Sequence, residues 1–426
     1  MPNASRPSAA SSLPYWELVV MIACLMALNA ASIDIFIPSL QEIGTQLGVA
    51  TENQRQLVIT AYIIGFGGAQ IIYGTLSDRF GRRPVLFVGM GIYVLASLAA
   101  IFSPTFQVLL ALRALQGVGA ASTRVIAVSI VRDCFGGPRM ASVMSLIMMV
   151  FMAVPVVAPN VGQIIMNYGT WQEIFLLIGL FGAGVLVWAY LRLPETLHPE
   201  DRRPLTVKRT AEAFRIVLTN RRAFGYTIAT ALIFGVLFGF INQAEQIYTG
   251  IYRLGPAFTL YFSATAIFMA GASFTNSRLV ERIGMRRLSH GALCGFAFLS
   301  AIQLVLSFAL GGIMPLPLFV GLMLVTFCLF GFIGTNFNAL ALDPLGHVAG
   351  TASSVLGFVQ TLGGGLLGAV IGSFYDGTLL PLYLGFVVLS CSSLACVFIA
   401  EKGQFFARLN EPHPHIAEAE AQTPAE

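Results

Sequence analysis

The segment Gly74-Thr75-Leu76-Ser77-Asp78-Arg79-Phe80-Gly81-Arg82-Arg83 decides the fold, because its pattern returns downstream as Ser277-Arg278-Leu279-Val280-Glu281-Arg282-Ile283-Gly284-Met285-Arg286. In both copies Leu, an acid, Arg, an apolar residue, Gly and Arg follow in the same order. Each copy comes after an apolar run, the second and the eighth of the chain. A pattern repeated at matching points predicts two similar halves related by an axis along the membrane normal, with a binding site near mid-membrane between them.

Long apolar runs surround both copies of this segment. The chain of 426 residues is 56% hydrophobic and only 10% charged, whereas a soluble domain carries about 25% charged residues. A membrane-spanning helix needs roughly 20 mainly apolar residues, and the runs do not alternate as barrel strands would. The sequence therefore predicts an all-α integral membrane protein with twelve transmembrane helices in two six-helix halves. The predicted spans are 17–38, 54–76, 85–103, 106–131, 140–166, 172–193, 223–245, 257–277, 288–311, 315–340, 350–375 and 379–400.

The longest polar stretch between spans divides the chain. We predict a six-helix half at 1–193, a cytoplasmic linker at 194–222, and a six-helix half at 223–426 that ends in a flexible polar tail. Most of the 24 Lys and Arg residues fall on one side, and only Arg55 and Arg253 fall on the other. The positive-inside rule therefore places both termini in the cytoplasm. The first apolar run is long enough to span, so no cleavable signal peptide is predicted.

The linker carries an amphipathic pattern. Val207, Ala211, Phe214 and Leu218 fall on one helical face, which is typical of a helix lying on the membrane surface. A linker helix with no further role is the interpretation that we favour.

The segment 74–86 resembles the signature loop between helices 2 and 3 of the major facilitator superfamily, and the twelve-helix layout extends the resemblance to the whole chain. The resemblance implies two packed six-helix bundles and alternating access. An acid–arginine cluster at this position can lock the cytoplasmic side and release it when the halves rock. The alternative is that the arginines only set the topology. The residues assigned to gating are Gly74, Asp78, Arg79, Gly81, Arg82, Arg83, Glu281 and Arg282.

Arg113 is the most informative single residue. It follows an apolar run within the fourth span, and an arginine there costs about 2.5–3.5 kcal/mol on insertion scales, which makes a functional role the default hypothesis. The segment Arg113–Ala120 resembles the helix-4 motif of proton-coupled facilitators, which implies that Arg113 takes part in proton transfer. Asp34 of the first span lies at a matching depth, so the two can pair or respond to each other across one cavity. We predict that Asp34 and Arg113 couple proton and substrate; a static ion pair is the alternative.

Other polar residues within the spans are candidates for the substrate cavity: Gln116, Asn242, Gln243, Glu245, Asn336 and Gln360. Glu245 is either a second acid or, as we favour, a solvated charge at the outer edge. Asn336 and Gln360 either line the cavity or bond between helices. Arg124 is expected to snorkel toward the cytoplasmic surface rather than to contact substrate.

The fifth span carries Pro155, Pro159 and Gly162, a combination that bends a helix. It resembles in part the helix-5 antiporter motif of the superfamily, although Ala158 and Gln163 depart from it. Short segments such as Asp34–Pro38 and Leu193–Leu197 resemble the Bcr/CflA-type drug-resistance exporters. That resemblance implies a bacterial inner membrane and proton-driven efflux of small drug-like molecules, by a monomer without a cofactor.

Other classes of protein fit the sequence less well. Neither Lys208 nor Lys402 stands in a phosphate-binding loop, so no ATP-driven pump is predicted. The five His residues form no zinc-binding motif, and the net charge of +4 reflects topology rather than nucleic-acid binding. A channel would have no use for two acid–arginine loops. A proton-coupled uptake symporter for a small metabolite remains the alternative, since it would use the same fold and the same Arg113.

Overall fold

A computed structural model describes residues 13–49, 51–135, 137–198, 200, 202 and 207–406, and every regular element in these ranges is a helix. A 3-10 turn at Ile37–Ser39 joins the first two helices. The helices before the linker are α1 Tyr15–Asp34, α2 Leu40–Gln46, α3 Glu52–Arg55, α4 Leu57–Phe80, α5 Arg82–Ala100, α6 Phe106–Cys134, α7 Gly137–Tyr168 and α8 Trp171–Arg192.

The helices from the linker onward follow a similar order. This part of the chain has two π-helical turns. Gln246–Ile251 follows α10, and Val359–Gly363 connects α14 to α15. The helices are α9 Val207–Thr219, α10 Arg221–Glu245, α11 Phe258–Ile283, α12 Met285–Ala309, α13 Leu316–Leu342, α14 Ala349–Phe358, α15 Gly364–Ser373 and α16 Leu380–Ala400.

Within the described ranges, 12 helical stretches are long and apolar enough to cross a membrane. The predicted number of spans is therefore confirmed. The first stretch continues to Gln46, beyond the predicted end at residue 38. The helical path survives Pro38 because this residue lies in the first turn of the 3-10 helix, where the missing N–H has no helical partner to lose.

Both copies of the repeated segment form the same joint between two helices. Gly81 separates α4 from α5 with φ 106° and ψ 159°, and Gly284 separates α11 from α12 with φ 91° and ψ 146°. L-residues with a side chain rarely adopt such angles, so glycine is required at both positions. The sequence repeat is thus a repeat of backbone geometry.

The helices pack closely enough that glycine is needed at several crossings. A Cβ at Gly65 of α4 would overlap the Ala114 carbonyl, and a Cβ at Gly117 of α6 would overlap the Tyr62 carbonyl. Small residues of this kind let backbones approach in a membrane, where the hydrophobic effect does not drive helix association. Between the two six-helix groups, α7 packs on α11, and α4 packs along α14, the second π turn and α15.

The linker helix α9 docks on the second half. Val217 is buried in a small cluster with Ala223 and Leu345, and the Phe214 ring packs edge-on against Phe358 with centroids 5.9 Å apart. Val217 is turned inward, whereas Leu218 is exposed. The side chains of Val207 and Ala211 lie outside the described residues.

Candidate functional site

Arg113 of α6 is completely buried and is held by three hydrogen bonds. Its Nε donates to the Val58 carbonyl at 3.0 Å, one Nη to the Ser32 carbonyl at 2.9 Å, and the other Nη to Gln116 Oε1 at 2.5 Å. Its guanidinium also lies 4.4 Å from the Phe36 ring centroid and 4.6 Å from that of Tyr62. Arg113 therefore ties α1, α4 and α6 together, and aromatic faces stabilise its charge.

The polar network continues away from the guanidinium. Gln116 donates to Ser97 Oγ at 2.7 Å, and Ser32 Oγ lies 2.6 Å from the Tyr93 hydroxyl. Gln116 has no exposed surface. Gln116 holds Arg113 in place through a hydrogen bond. It does not line a cavity, which is where we predicted it.

Asp34 is the last residue of α1, and its side chain is only 5% exposed. The direct pairing with Arg113 that we considered is absent, because the Arg113 donors are directed to two backbone carbonyls and to Gln116. Among the described residues the Asp34 carboxylate has no hydrogen-bond or ion-pair partner. The carboxylate oxygens of Asp34 are not fully buried.

Asp34 and Arg113 are nevertheless mechanically connected. The Ser32 carbonyl that accepts from Arg113 belongs to the same final turn of α1 as Asp34. A change that moves this turn therefore moves an acceptor of Arg113.

The predicted antiporter residues lie in α7. Pro155 and Pro159 are inside this continuous helix, and Gly162 faces the end of α1, where a Cβ would overlap the Ile35 carbonyl. Between the prolines and Gly162, Asn160 donates to Ser263 Oγ of α11 at 2.7 Å. The helix thus contacts the turn that carries Asp34 on one side and the other half of the molecule on the other.

Glu245 ends α10 and lines a cavity of about 350 Å³. It is 4% exposed and accepts a hydrogen bond from Thr249 Oγ1 at 3.0 Å. The position as a solvated edge charge that we favoured is therefore wrong, because the π turn after α10 extends the helix and covers the carboxylate. Both halves contribute to the cavity, which is lined by Pro38, Gln41, Gln163, Glu245, Thr249, Arg253, Gly255, Pro256 and Phe258.

The other predicted cavity residues are separate from this cavity. Asn242 is buried with neither amide atom partnered, and Gln243 donates to the Ile371 carbonyl at 2.9 Å. Asn336 donates to Asn276 Oδ1 at 2.7 Å, so it bonds between α13 and α11. Gln360 is buried within the second π turn.

The repeated segment of the first half forms a tight polar cluster. Arg82 donates to Asp78 Oδ1 at 2.6 Å and to Asp133 Oδ2 at 2.8 Å. The Glu195 carboxylate accepts from the backbone N–H groups of Arg82 and Arg83, at 2.9 Å and 3.1 Å. Gly74, which leads into this segment, lies opposite Ser354 of α14 in the other half. Glu195 thus binds the N-terminus of α5, where a negative charge is favourable.

The two remaining arginines of the segment differ from Arg82. Arg79 is exposed, whereas Arg83 donates to the Tyr190 carbonyl at 2.6 Å and lies over the Phe87 ring. In the second copy Arg282 is exposed, and the side chain of Glu281 lies outside the described residues.

The family model described as the Major Facilitator Superfamily matches residues 22–369. The chain belongs to this superfamily. The family predicted from the segment 74–86 is thus confirmed, and the protein is a multi-pass membrane transporter.

Relatives of this major facilitator protein are named for drug resistance. The chain is 31% identical over 394 residues to the "Bicyclomycin resistance protein homolog" of Haemophilus influenzae, with 91% of this chain and 95% of that protein covered. It is 28% identical over 369 residues to "Multidrug resistance protein D" of Escherichia coli, with coverages of 83% and 88%. These relatives are of the type that the sequence predicted.

Solved major facilitator structures share the fold. A crystal structure of a D-xylose–proton symporter superposes with a TM-score of 0.69 at 15% identity, covering 91% of this chain and 98% of that one. The predicted fold class is confirmed.

Sequence reasoning missed a second polar cluster of this transporter. Glu401, just after α16, lies 3.3 Å from Arg286 Nε, and its Oε1 accepts from the Tyr226 hydroxyl at 2.9 Å. Tyr226 also bonds His290 Nε2 at 2.8 Å. Glu401 and Glu195 follow the last helix of each half, and both bind the start of the third helix of their own half. The sequence carried a signal for this cluster, because Arg286 aligns with Arg83 in the repeat.

Gly162→Ala is expected to slow transport at least tenfold, because the added methyl group would overlap the Ile35 carbonyl beside Asp34. Overpacking of this kind typically costs about 1–3 kcal/mol. Transport by cells at matched protein levels measures the effect. Gly184→Ala is the control, since a Cβ there meets nothing within 4 Å; equal transport by both variants would contradict the role of this contact.

Glu195→Ala is expected to lower thermal stability by about 1 kcal/mol, because two N–H groups at the start of α5 lose their acceptor. Thermal unfolding in detergent gives the comparison with wild type. The exposed Glu212 of α9 supplies the control Glu212→Ala. An equal change in both variants would show that Glu195 does not stabilise the joint.

Proposed function

We propose that this transporter exports drug-like small molecules in exchange for protons, by alternating access in a bacterial inner membrane. It would act as a monomer with both termini in the cytoplasm and without a cofactor, driven by the proton gradient. The observation that carries the proposal is Asp34, a buried carboxyl at the end of α1 with no basic partner among the residues that the structure describes.

A carboxyl group in this position suits proton transfer. A charge inside the membrane is costly, and protonation removes that charge. Because no described residue is a fixed counter-ion of Asp34, its change of charge must be met by a rearrangement or by a ligand. The nearby Ser32 carbonyl transmits movement of α1 to Arg113, and Gly162 transmits it to α7.

The cavity at Glu245 supports a route to the outer side. Residues from both halves line it, as expected where two halves rock around one substrate path. Its volume of about 350 Å³ is in the range that holds small molecules. Glu245 is available there as a second acid, in addition to Asp34.

The inner side supports the same cycle from the opposite end. Gly74 of α4 faces Ser354 of α14, beside the cluster of Arg82, Asp78 and Asp133. Separation of α4 from α14 would open the cytoplasmic side, while the cluster keeps α4, α5 and α6 together. The names of the relatives, which refer to bicyclomycin and multidrug resistance, favour export over uptake.

The test is proton movement triggered by drug in liposomes that contain the purified protein. A pH gradient is imposed, a pH-reporting dye is followed, and chloramphenicol and rhodamine 123 are added separately. Proton movement that starts on addition, and is absent from protein-free liposomes, is the expected result. Proton-coupled entry of a metabolite, with no response to either drug, would replace export by uptake.

A further inference from the structure

Arg124 is a second arginine within α6, and its surroundings differ from those of Arg113. It is only partly buried, and its one hydrogen bond to a described residue is a long contact of 3.5 Å from Nη1 to Thr361 Oγ1. Among the described residues no carboxylate forms an ion pair with it. The side chain, which we expected to snorkel toward the cytoplasmic surface, is directed across the interface to Thr361 of the other half.

The guanidinium of Arg124 has N–H donors that the contact to Thr361 does not use. Arginine carries five N–H donors and no acceptor. Its other nitrogens are not fully buried. The Phe66 ring centroid lies 5.9 Å from the guanidinium carbon.

Thr361 comes from the opposite half and from an unusual piece of backbone. It lies in the π turn Val359–Gly363, which interrupts the eleventh span, and such turns are frequent at functional sites. Its hydroxyl oxygen accepts from Arg124 and also from Gln70 Nε2 at 3.2 Å. With both of these bonds accepted, its own proton is free to be donated.

We propose that Arg124, Thr361 and Gln70 form a subsite for a carboxylate, or a comparable anionic oxygen group, of the transported molecule. The three side chains together present several donors and a positive charge that no described carboxylate pairs with. Arginine binds carboxylates through two parallel hydrogen bonds, which fixes their orientation. A ligand bound there would contact both halves at once. This proposal rests on the transport function proposed above and adds a substrate class to it.

Two dyes built on the same xanthene framework test the subsite: fluorescein, which carries a carboxylate, and rhodamine 123, a cationic ester. Binding to purified protein is measured by fluorescence anisotropy for wild type, Arg124→Gln and Arg124→Lys. We expect saturable fluorescein binding that weakens at least tenfold in Arg124→Gln and less in Arg124→Lys. Rhodamine 123 binding is expected to change less than twofold. Arg215→Gln, an exposed arginine of α9, controls for general loss of charge.

Two results would overturn the subsite. The first is fluorescein binding that is unchanged in Arg124→Gln, and the second is the absence of saturable fluorescein binding to wild type. Retained rhodamine 123 binding in Arg124→Gln shows that the variant is folded. The drug-triggered proton movement in liposomes is independent of this assay, so it shows separately whether the export function stands.

Discussion

Asp34→Asn is expected to abolish proton-driven accumulation of drug while leaving downhill drug exchange within about threefold of wild type. Asn has nearly the same shape as Asp but cannot carry the proton, so coupling is lost and the passage for drug is kept. The expectation depends on the burial of Asp34 and on its lack of a partner among the described residues. A residue with a fixed counter-ion would instead lose structure when neutralised.

Liposomes with an imposed pH gradient separate the two activities. Uphill drug accumulation reports coupling, and exchange of labelled drug without a gradient reports passage. Asp376→Asn is the matched control, because Asp376 is exposed and accepts hydrogen bonds from Thr378 that Asn can also accept. Uphill accumulation that persists in Asp34→Asn would move the proton site elsewhere, and Glu245 would be tested next.

Arg113→Lys is expected to reduce transport at least tenfold and to lower stability by about 2 kcal/mol. Lysine keeps the charge, but it cannot reach the Val58 and Ser32 carbonyls and Gln116 Oε1 together with one planar group. A hydrogen bond from a charged group contributes about 1.5–3 kcal/mol, and values within membranes are smaller. The loss of two of the three bonds therefore accounts for the expected change.

Thermal unfolding in detergent and drug transport measure the two effects of Arg113→Lys. Arg192→Lys is the control, since Arg192 pairs with Glu17 on an exposed surface, where ion pairs contribute little. If Arg113→Lys transports at the wild-type rate, charge alone is sufficient and the hydrogen-bond geometry has no role in coupling.

Much of the fold could be predicted because it depends on the length of the apolar runs and on the repeated segment. Twelve apolar runs give twelve spans, and the repeated glycine gives the same joint at Gly81 and Gly284. The helix ends were less predictable. The extensions past residue 38 and past Glu245 depend on a 3-10 turn and a π turn, and neither has a distinct hydropathy pattern.

The contacts of the candidate site could be predicted only in part. Sequence position gives the depth of a residue in the membrane, and Asp34 and Arg113 were matched on depth. It does not give the direction in which a side chain points around its helix, and this direction sends Arg113 to the carbonyls of α1 and α4 rather than to Asp34. The same uncertainty explains why the surroundings of Gln116, Glu245 and Arg124 differ from those that we expected. Their helices were identified correctly, but not the helices that they face.

The two glutamates that follow α8 and α16 also bear on how the molecule could be assembled from pieces. Glu195 closes the first group of helices and Glu401 the second, each by binding the third helix of its own group. The main contacts of the linker helix α9 are with α10 and α14 of the second group. A chain cut between Arg202 and Val207 would therefore yield two fragments that each keep their closing contacts. Their reassembly into one transporter would then be limited mainly by how often they meet in the bilayer, because the covalent link supplies effective concentration rather than contacts.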